Sequence, residues 1–372
     1  MTAGRYSAMA TRRVELWTNM STAQRQNPFA MAKRAARLEA DGWDGGCVVD
    51  SQCISADSFM SLTLCARETS TLRLATGVSN AATRHPAVVA GAAATLQVIS
   101  RGRACLGLGR GDSALAYLGA SPQPLDEFER RATMIQTYLR GDYVPLADAV
   151  SALSGVTPGY EKLALGESLP GSWLKWLPPD VPKVPVDILA TGPKVIGIAA
   201  RQADRITFAV GADPARLRWA IETARQEIER GDRDPTQISF GAMIPLLTHD
   251  DVNVSRRLSV GAVSGTARFS IMNRKIVGPV TDAQRRTLER IASVYDMRTH
   301  GEGGAQAAVL DDDFIDDFAL VGPPGRCVER IEEIVALGFD RLWLSTPMDQ
   351  GDAGQESYAT SISEVLPRLR SA

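Results

Sequence analysis

LRLATGVSNAATRHPAVVAGAAATLQVISRGRACLGLGRGD, residues 72–112, is the segment from which the fold can be predicted. Two apolar runs, Leu72–Val78 and Ala104–Leu108, each end in a loop that contains glycine, and an alanine-rich segment with helical spacing separates them. The pattern predicts strand, loop, helix, strand and loop. A helix that joins two strands makes them parallel, so both strands end on the same side of a sheet, where α/β proteins place their sites.

The same alternation of strand and helix extends along most of the chain, about one pair per thirty residues, as a βα repeat requires. Eight strands in this rhythm predict a (β/α)8 TIM barrel, and a doubly wound sheet is the alternative. The G-x-G-x-G at Gly107–Gly111 favours a dinucleotide fold only weakly, because it lacks the third glycine at the required spacing. The predicted strands are Arg13–Trp17, Gly45–Val49, Leu72–Gly77, Ala104–Leu108, Val186–Ala190, Arg205–Phe208, Ile238–Ile244 and Asp340–Leu344.

Two irregular stretches interrupt the rhythm after strands 4 and 7. We predict insertions at approximately 141–183 and 250–322 within a single barrel domain of residues 13–372, preceded by a tail of residues 1–12. The second insertion contains an acidic run, Asp311–Asp313 with Asp316 and Asp317. A solvated helix N-terminus explains this run better than a metal site does.

The composition is that of a globular protein, with 44% hydrophobic and 23% charged residues and a net charge of −2. This balance gives no global attraction to nucleic acid or to anionic membranes, and we expect a small-molecule ligand. The five cysteines contain no C-x-x-C pair, and Cys47, Cys65 and Cys105 lie in apolar runs typical of buried thiols. With no signal peptide and no apolar window long enough to span a membrane, a cytoplasmic location is expected.

Polar residues just past the strand ends are the candidates for chemistry in a barrel. Asp50 and Asp112 follow strands 2 and 4, and can act as proton carriers, as acceptors for ring N–H groups, or simply as helix N-caps. Thr191-Gly192-Pro193-Lys194 predicts an anion site at a helix N-terminus, with an ordinary turn as the alternative. Among the histidines, His85 precedes Pro86 and is expected to cap a loop, whereas His300 is a candidate for substrate contact. The sequence shows no Ser/His/Asp triad and no histidine-based metal site, so no metal is predicted.

Three segments carry a resemblance to a known family: TGVSNAATRHPAVVAGAAATLQVISRGRACLGLGRGDSA (76–114), ATGPK (190–194) and VGPPGRCVERIEEIVALGFDRLWL (321–344). They resemble the bacterial luciferase-like (β/α)8 superfamily, and within it the oxidoreductases that depend on the deazaflavin coenzyme F420, such as methylenetetrahydromethanopterin reductase. The resemblance covers most of the chain except residues 141–183 and 250–304. It implies an enzyme with coenzyme F420 as cofactor, FMN being the alternative, and a homodimer.

The resemblance also implies roles for individual residues. Gly77-Val78 would be a non-prolyl cis peptide that bulges against the cofactor ring, with glycine leaving room for that ring. Asp50 and Asn80 would hold the polar edge of the ring or its ribityl chain, and Asp112 matches an acidic residue near the reacting face. Cofactor-binding residues assigned in this way are Asp50, Gly77, Val78, Asn80, Asp112, Ser113, Thr191, Gly192, Pro193 and Lys194, the last three holding the phosphate.

One departure from the family pattern affects the predicted chemistry. Many relatives have Asp-His after strand 2, where this chain has Asp50-Ser51. Serine is a poor proton carrier near neutral pH, so the family's proton transfer cannot be assigned to Ser51. Asp112, His300 or Gln52 could take over that proton transfer. The predicted catalytic residues are Asp112, Ser51 and His300, with Ser51 included because it occupies the position of the family histidine.

The leading hypothesis is an oxidoreductase that moves a hydride to or from C5 of a deazaflavin, with a small organic substrate covered by the two insertions. The alternatives are a monooxygenase that uses reduced FMN, and a flavin-binding or deazaflavin-binding protein without turnover. The sequence identifies neither the substrate nor the direction of hydride transfer.

Overall fold

Eight parallel strands close into a barrel, which confirms the predicted (β/α)8 fold. The computed structural model describes residues 13–21, 27–153, 155, 158–167, 169–231, 233–300, 303–346 and 348–371. The predicted N-terminal tail, residues 1–12, lies outside these ranges. The strands are β1 (Glu15–Asn19), β2 (Gly45–Val48), β3 (Arg73–Thr76), β4 (Ala104–Leu108), β5 (Val186–Ala190), β6 (Arg205–Phe208), β7 (Ser239–Thr248), β8 (Leu320–Gly322) and β9 (Arg341–Ser345).

The barrel is formed by β1 to β7 and β9, each paired in parallel with the next, and β9 closes it between β7 and β1. The predicted eighth strand is thus β9, displaced by one residue from its predicted bounds. The sequence did not predict β8, which lies outside the barrel. It forms because β7 runs to Thr248, beyond its predicted end at Ile244, and offers its last residues to a further strand, with Leu246 opposite Leu320.

Most helices follow the strands and cover the outside of the barrel, and those between β7 and β8 belong to the second insertion. They are α1 (Pro28–Ala40), α2 (Ser58–Glu68), α3 (Pro86–Ile99), α4 (Asp112–Ala116), α5 (Leu125–Leu139), α6 (Leu146–Ser151), α7 (Pro193–Gln202), α8 (Pro214–Arg230), α9 (Val252–Ala267), α10 (Asp282–Val294), α11 (Gly304–Ala307), α12 (Asp312–Phe318), α13 (Pro324–Ala336), α14 (Gly351–Thr360) and α15 (Leu366–Ser371). A π-helical turn, Ser361–Val365, joins α14 to α15. No helix among the described residues is both long and apolar enough to cross a membrane.

Alternation along the strands divides the core into two parts. Outward-facing strand residues such as Leu16 and Leu74 pack beneath the helices and are fully buried. Inward-facing residues form a second cluster inside the barrel, made of Trp17, Cys47, Ala75, Cys105 and Trp343. Cys47, Cys65 and Cys105 are buried and free, as predicted.

The second insertion has an apolar core of its own and extends over the mouth of the barrel. Helix α10 begins with a capping box in which Thr281 and Gln284 satisfy each other's backbone N–H groups. Arg268–Arg274 is an irregular segment that follows α9. The acidic run is a helix N-terminus, as expected, because Asp311 caps α12 through the Phe314 N–H. Buried residues that hold this insertion together are Leu247, Val263, Ala267, Leu288, Ile291, Phe314 and Phe318.

Candidate active site at the mouth of the barrel

A cavity of about 580 Å³ opens at the end of the barrel where the parallel strands terminate. The strand-end loops line its base, and residues of the second insertion, among them Phe269 and Met272, line its other side. No described residue of the first insertion lines it. The expectation that both insertions cover the site is therefore met only by the second. Most of the lining is apolar, which is typical of a pocket for an organic ligand.

The base of the cavity contains the peptide bond between Gly77 and Val78, and this bond is cis, as the resemblance implied. A Cβ on Gly77 would lie 2.7 Å from the Cβ of Cys47 and 2.7 Å from Cη2 of Trp343. Glycine is therefore required by the side chains inside the barrel as well as by any ligand above. Trp343 in turn is oriented by Asn19, whose Oδ1 accepts from the indole Nε1 at 2.8 Å.

Asp50 is buried at the edge of the cavity, and both of its oxygens have partners within the protein. Arg84 donates Nη1 to Oδ2 at 2.6 Å and Nη2 to Oδ1 at 3.2 Å. Ser79 donates to Oδ2 at 2.5 Å, and Gln52 donates to Oδ1 at 3.0 Å. Burial alone would lower the pKa of Arg84, but its hydrogen bonds to Asp50 and Asp57 raise it. Asp50 is not a helix N-cap, and four hydrogen bonds from Arg84, Ser79 and Gln52 fix its side chain in place.

Asn80 turns away from the cavity lining and organises the loop after β3. Its Oδ1 accepts hydrogen bonds from the backbone N–H groups of Ala82 and Thr83, both at 3.0 Å. Its Nδ2 faces Gln52 Oε1 at 3.4 Å. The structure thus places this predicted cofactor ligand in an Asx turn that supports the Gly77-Val78 bulge.

Ser51 and Ser113 meet at the position where the family histidine was expected. Their hydroxyl oxygens lie 2.8 Å apart, and both residues line the cavity. Ser51 is also held by its backbone N–H, which donates to Ser55 Oγ at 2.9 Å. The pair supplies hydroxyl groups to the cavity but no group that titrates near neutral pH.

Asp112 is the first residue of α4 and forms an ion pair with Arg268 of the second insertion. Its side chain caps no helix, since the N-cap of α4 is Gly111, which has a positive φ of 81°. The pair joins the loop after β4 to the irregular segment after α9. Burial lowers the pKa of Arg268, and interactions with Tyr295 oppose that shift.

His300 reaches the same cavity from the second insertion. Its Nδ1 lies 2.6 Å from the phenol oxygen of Tyr295. Burial, together with the positive charge of Arg268, lowers the pKa of His300 to about 4. His85 lies elsewhere and is the N-cap of α3, since its Nδ1 accepts from Ala87 N at 3.1 Å. It therefore caps a helix, whereas the sequence had predicted that it caps a loop.

Thr191, Gly192, Pro193 and Lys194 line another side of the cavity, where α7 begins. Gly192 is the N-cap and its residue type offers no side chain to the first N–H groups of the helix. Thr191 Oγ1 donates instead to Ala209 O at 3.2 Å. An uncapped N-terminus beside an exposed lysine is suited to an anion.

The structure therefore brings nearly all the predicted residues to one cavity, and Asn80 and Gln52 are the exceptions. Reasoning from the sequence missed Arg84, Arg268, Tyr295 and Trp343. Of these four residues, only Trp343 could have been found from the sequence. The alternation of inward and outward side chains in Leu342-Trp343-Leu344 predicts that it points into the barrel. Within the described residues, no group of three or more His, Cys, Asp or Glu side chains is arranged to hold a metal ion.

Comparison with known proteins agrees with this geometry. The family model described as luciferase-like monooxygenase matches residues 35–341. A 5,10-methylenetetrahydromethanopterin reductase of Archaeoglobus fulgidus is 25% identical over 321 residues, which cover 84% of this chain and 87% of that protein.

Two solved structures have the same fold. The coenzyme F420-dependent tetrahydromethanopterin reductase of Methanopyrus kandleri superposes with a TM-score of 0.71 at 20% identity, covering 96% of this chain and 99% of its own. The oxygenating constituent of 3,6-diketocamphane monooxygenase from Pseudomonas putida, in complex with FMN, superposes with a TM-score of 0.61 at 16% identity, covering 96% and 98%.

Proposed function

Because the chain belongs to the luciferase-like monooxygenase family, we propose that it is an oxidoreductase that binds coenzyme F420 at the mouth of its barrel and transfers a hydride between the deazaflavin C5 and a small organic substrate. The family relation makes the chain an enzyme that depends on F420 or a flavin. It favours this reading over a binding protein without turnover. The homodimer expected from the resemblance stays a prediction.

The observation that carries the proposal is that one cavity holds both a cradle for a ring and a cradle for an anion. The Gly77-Val78 bulge forms an apolar base beside Trp343, and the uncapped N-terminus of α7 with Lys194 forms part of the wall. A phosphorylated ring cofactor needs both features together. The residues that line the cavity therefore fit a phosphorylated ring cofactor.

Individual residues would contribute in different ways. Val78 and Gly77 would support the face of the ring, while Gly192, Pro193 and Lys194 would hold the phosphate through backbone N–H groups and a positive charge. The hydroxyls of Ser51, Ser113 and Thr191 would contact the ring edge or its chain. The cofactor supplies the hydride chemistry, and the protein orients it and excludes water.

The two carboxylates have different parts in this proposal. Asp50 is occupied by Arg84, Ser79 and Gln52, so it would act by fixing the loops around the bulge. Asp112 is paired with Arg268 of the second insertion, so it would act by holding that insertion over the face of the ring. Replacing Asp112 by Asn tests a direct catalytic role once a substrate is known, because unchanged turnover would remove that role.

Coenzyme F420 is favoured over FMN by the relatives that match along the chain. The matched Archaeoglobus fulgidus protein is named a methylenetetrahydromethanopterin reductase, and a structural neighbour of the same kind is described as dependent on coenzyme F420. Reduced FMN with oxygen as co-substrate is the second candidate, supported by the structural neighbour that contains FMN.

A fluorescence titration of the purified protein tests the proposal. Coenzyme F420, oxidised FMN and reduced FMN are added separately, the last without oxygen. Micromolar or tighter binding of the deazaflavin alone supports the proposal. Binding of reduced FMN alone identifies a monooxygenase candidate, and binding of neither ring overturns both.

A further inference from the structure

Most polar side chains of the cavity are already occupied by other residues of the protein. The carboxylate of Asp50 accepts from Arg84 and two further side chains, and that of Asp112 is paired with Arg268. The hydroxyls of Ser51 and Ser113 face each other. None of these groups is free to direct a substrate by itself.

His300 differs from them because only one of its ring nitrogens is engaged. Nδ1 lies against the Tyr295 hydroxyl, whereas Nε2 has no hydrogen-bond partner among the residues that the structure describes. The ring lines the cavity. With a pKa of about 4, lowered by burial and by Arg268, the imidazole is neutral at pH 7.

Arg268 determines which way the hydrogen bond between Tyr295 and His300 runs. Its guanidinium has only donors and lies over the Tyr295 ring, with Cζ 4.9 Å from the ring centroid. Burial raises the pKa of Tyr295, so the phenol keeps its proton. Arg268 also acts on the phenol oxygen itself, because its positive charge opposes the rise in the pKa of Tyr295. A phenol oxygen beside a cation directs its proton away from the cation, toward Nδ1 of His300. Nε2 then carries the hydrogen of the imidazole.

The segment around His300 is anchored to the barrel. Tyr117, at the end of α4, donates its hydroxyl to Met297 O at 2.6 Å. Gln306 donates Nε2 to Thr299 O at 3.1 Å. These two bonds tie the turn immediately before His300 to α4 on one side and to α11 on the other.

We propose that His300 presents a neutral Nε2–H donor to the cavity, positioned by Tyr295 and Arg268, and that this donor binds the carbonyl oxygen of a largely apolar substrate. The inference rests on the proposed function in taking this cavity as the substrate site. The neutral Nε2–H of His300 suits a neutral acceptor such as a carbonyl oxygen. It carries no charge with which to neutralise a carboxylate or an ammonium group on the substrate.

The surroundings of His300 favour the same substrate class. Phe269 and Met272 line the cavity beside it, and Gly261, Ala262 and Gly265 leave space along α9. An apolar carbonyl compound can pack its hydrocarbon part against these apolar side chains and accept a hydrogen bond from His300 Nε2–H. A neutral imidazole N–H aimed at a carbonyl oxygen stabilises negative charge that develops there, and loss of one such donor typically reduces turnover by about 10²- to 10³-fold.

The tautomer of His300 can be measured without cofactor or substrate. The chain has three histidines, His85, His249 and His300, so ¹⁵N-histidine labelling and long-range ¹H–¹⁵N correlation spectra give three ring systems. Separate replacement of each by Gln assigns them. We expect His300 to be the neutral Nε2–H tautomer at pH 7, and Tyr295→Phe to add the Nδ1–H tautomer. A cationic ring or an Nδ1–H tautomer in the wild type overturns the inference.

The substrate class is tested with a matched pair of probes. Cyclohexanone carries a carbonyl acceptor, and methylenecyclohexane has the same shape without one. We expect cyclohexanone to move the Nε2 and N–H resonances of His300 and methylenecyclohexane to leave them unchanged, with coenzyme F420 present or absent. Equal effects of both probes, or none, overturn the substrate class. Failure of the cofactor titration overturns the proposed function separately, since the tautomer measurement does not depend on it.

Discussion

Arg84 forms a bidentate ion pair with Asp50, with nitrogen to oxygen distances of 2.6 and 3.2 Å. Asp50 is only 2% exposed, and Arg84 also reaches Asp57, the N-cap of α2, at 2.8 Å. One guanidinium therefore connects the loop after β3 with the loop after β2, on either side of the Gly77-Val78 bulge. This contact fixes the side chain of Asp50 between the two loops, which makes Asp50 part of the scaffold of the cavity.

Replacing Arg84 by Met is expected to lower the free energy of unfolding by roughly 3 kcal/mol, because it leaves the buried Asp50 carboxylate without its cation. Urea denaturation followed by tryptophan fluorescence measures the change. Arg140→Met is the matched control, since Arg140 pairs with Asp142 on the surface and should contribute less than about 1 kcal/mol. Equal losses in both variants would contradict the scaffold role of Arg84.

The sequence predicted the place of Asp50 and Asp112 correctly but not their surroundings. The strand rhythm locates residues at strand ends, so both carboxylates were expected at one mouth of the barrel, where they lie. Their arginine partners are 34 residues away for Asp50 and 156 residues away for Asp112. Nothing local in the sequence links such pairs, because they meet only when the barrel has closed and the second insertion has folded over it.

The parts of the site with local causes were the ones that could be predicted. Gly192-Pro193 predicts a helix start from the conformational preferences of two adjacent residues, and the structure begins α7 at Pro193. Strand β8 was missed for the opposite reason. Leu320–Gly322 is three residues long and forms only because β7 continues past the barrel to offer it an edge.

Gly77→Ala is expected to destabilise the protein by about 1–3 kcal/mol, because the added methyl group would overlap Cys47 and Trp343 inside the barrel. Thermal or urea unfolding measures the loss, and a change in tryptophan emission would report displacement of the indole. Gly166→Ala is the control, since a Cβ there meets nothing within 4 Å. A fully stable Gly77→Ala variant would show that the side chains beneath it adjust freely.

The ion pair between Asp112 and Arg268 is expected to couple the second insertion to the barrel. A double-mutant cycle with Asp112→Asn and Arg268→Met should give a coupling energy of about 1–2 kcal/mol, measured by urea unfolding. Asp296 and Arg298 provide the control cycle, because Arg298 is 89% exposed and its pair is screened by solvent. Additive effects of the two substitutions at Asp112 and Arg268 would mean that the insertion is held by its apolar core alone.

His300 is expected to make the protein less stable in mild acid. Its folded pKa of about 4 lies below the ordinary value of 6.5, so the unfolded chain takes up a proton first as the pH falls. Stability from this residue is fully present above pH 6.5 and is lost between 6.5 and about 4. The shift of the His300 pKa corresponds to an upper limit of roughly 3 to 4 kcal/mol.

We therefore expect His300→Gln to lose less stability than the wild type over the same pH interval. Urea denaturation at several pH values between 4 and 7 measures the two slopes. Identical slopes would mean that His300 is protonated as easily in the folded protein as in the unfolded chain, and that burial and Arg268 do not act on it.

Lys194→Ala is expected to weaken the binding of coenzyme F420 about tenfold, which corresponds to about 1.4 kcal/mol. Lys194 supplies the side-chain charge at the start of α7, and the helix N–H groups that remain in the variant account for the residual affinity. Fluorescence titration at two salt concentrations measures both the affinity and its salt dependence, which should be smaller in the variant because one charge has been removed from the contact.

Lys175→Ala, at an exposed lysine of the first insertion that does not line the cavity, is the matched control and should bind as the wild type does. An affinity that Lys194→Ala leaves unchanged at both salt concentrations would place the phosphate elsewhere in the cavity. Lys275 also lines the cavity, from the second insertion, and is the next cation to replace in that case. Such a result would reverse the inferred direction of the bound cofactor, with its charged end under the second insertion instead of at α7.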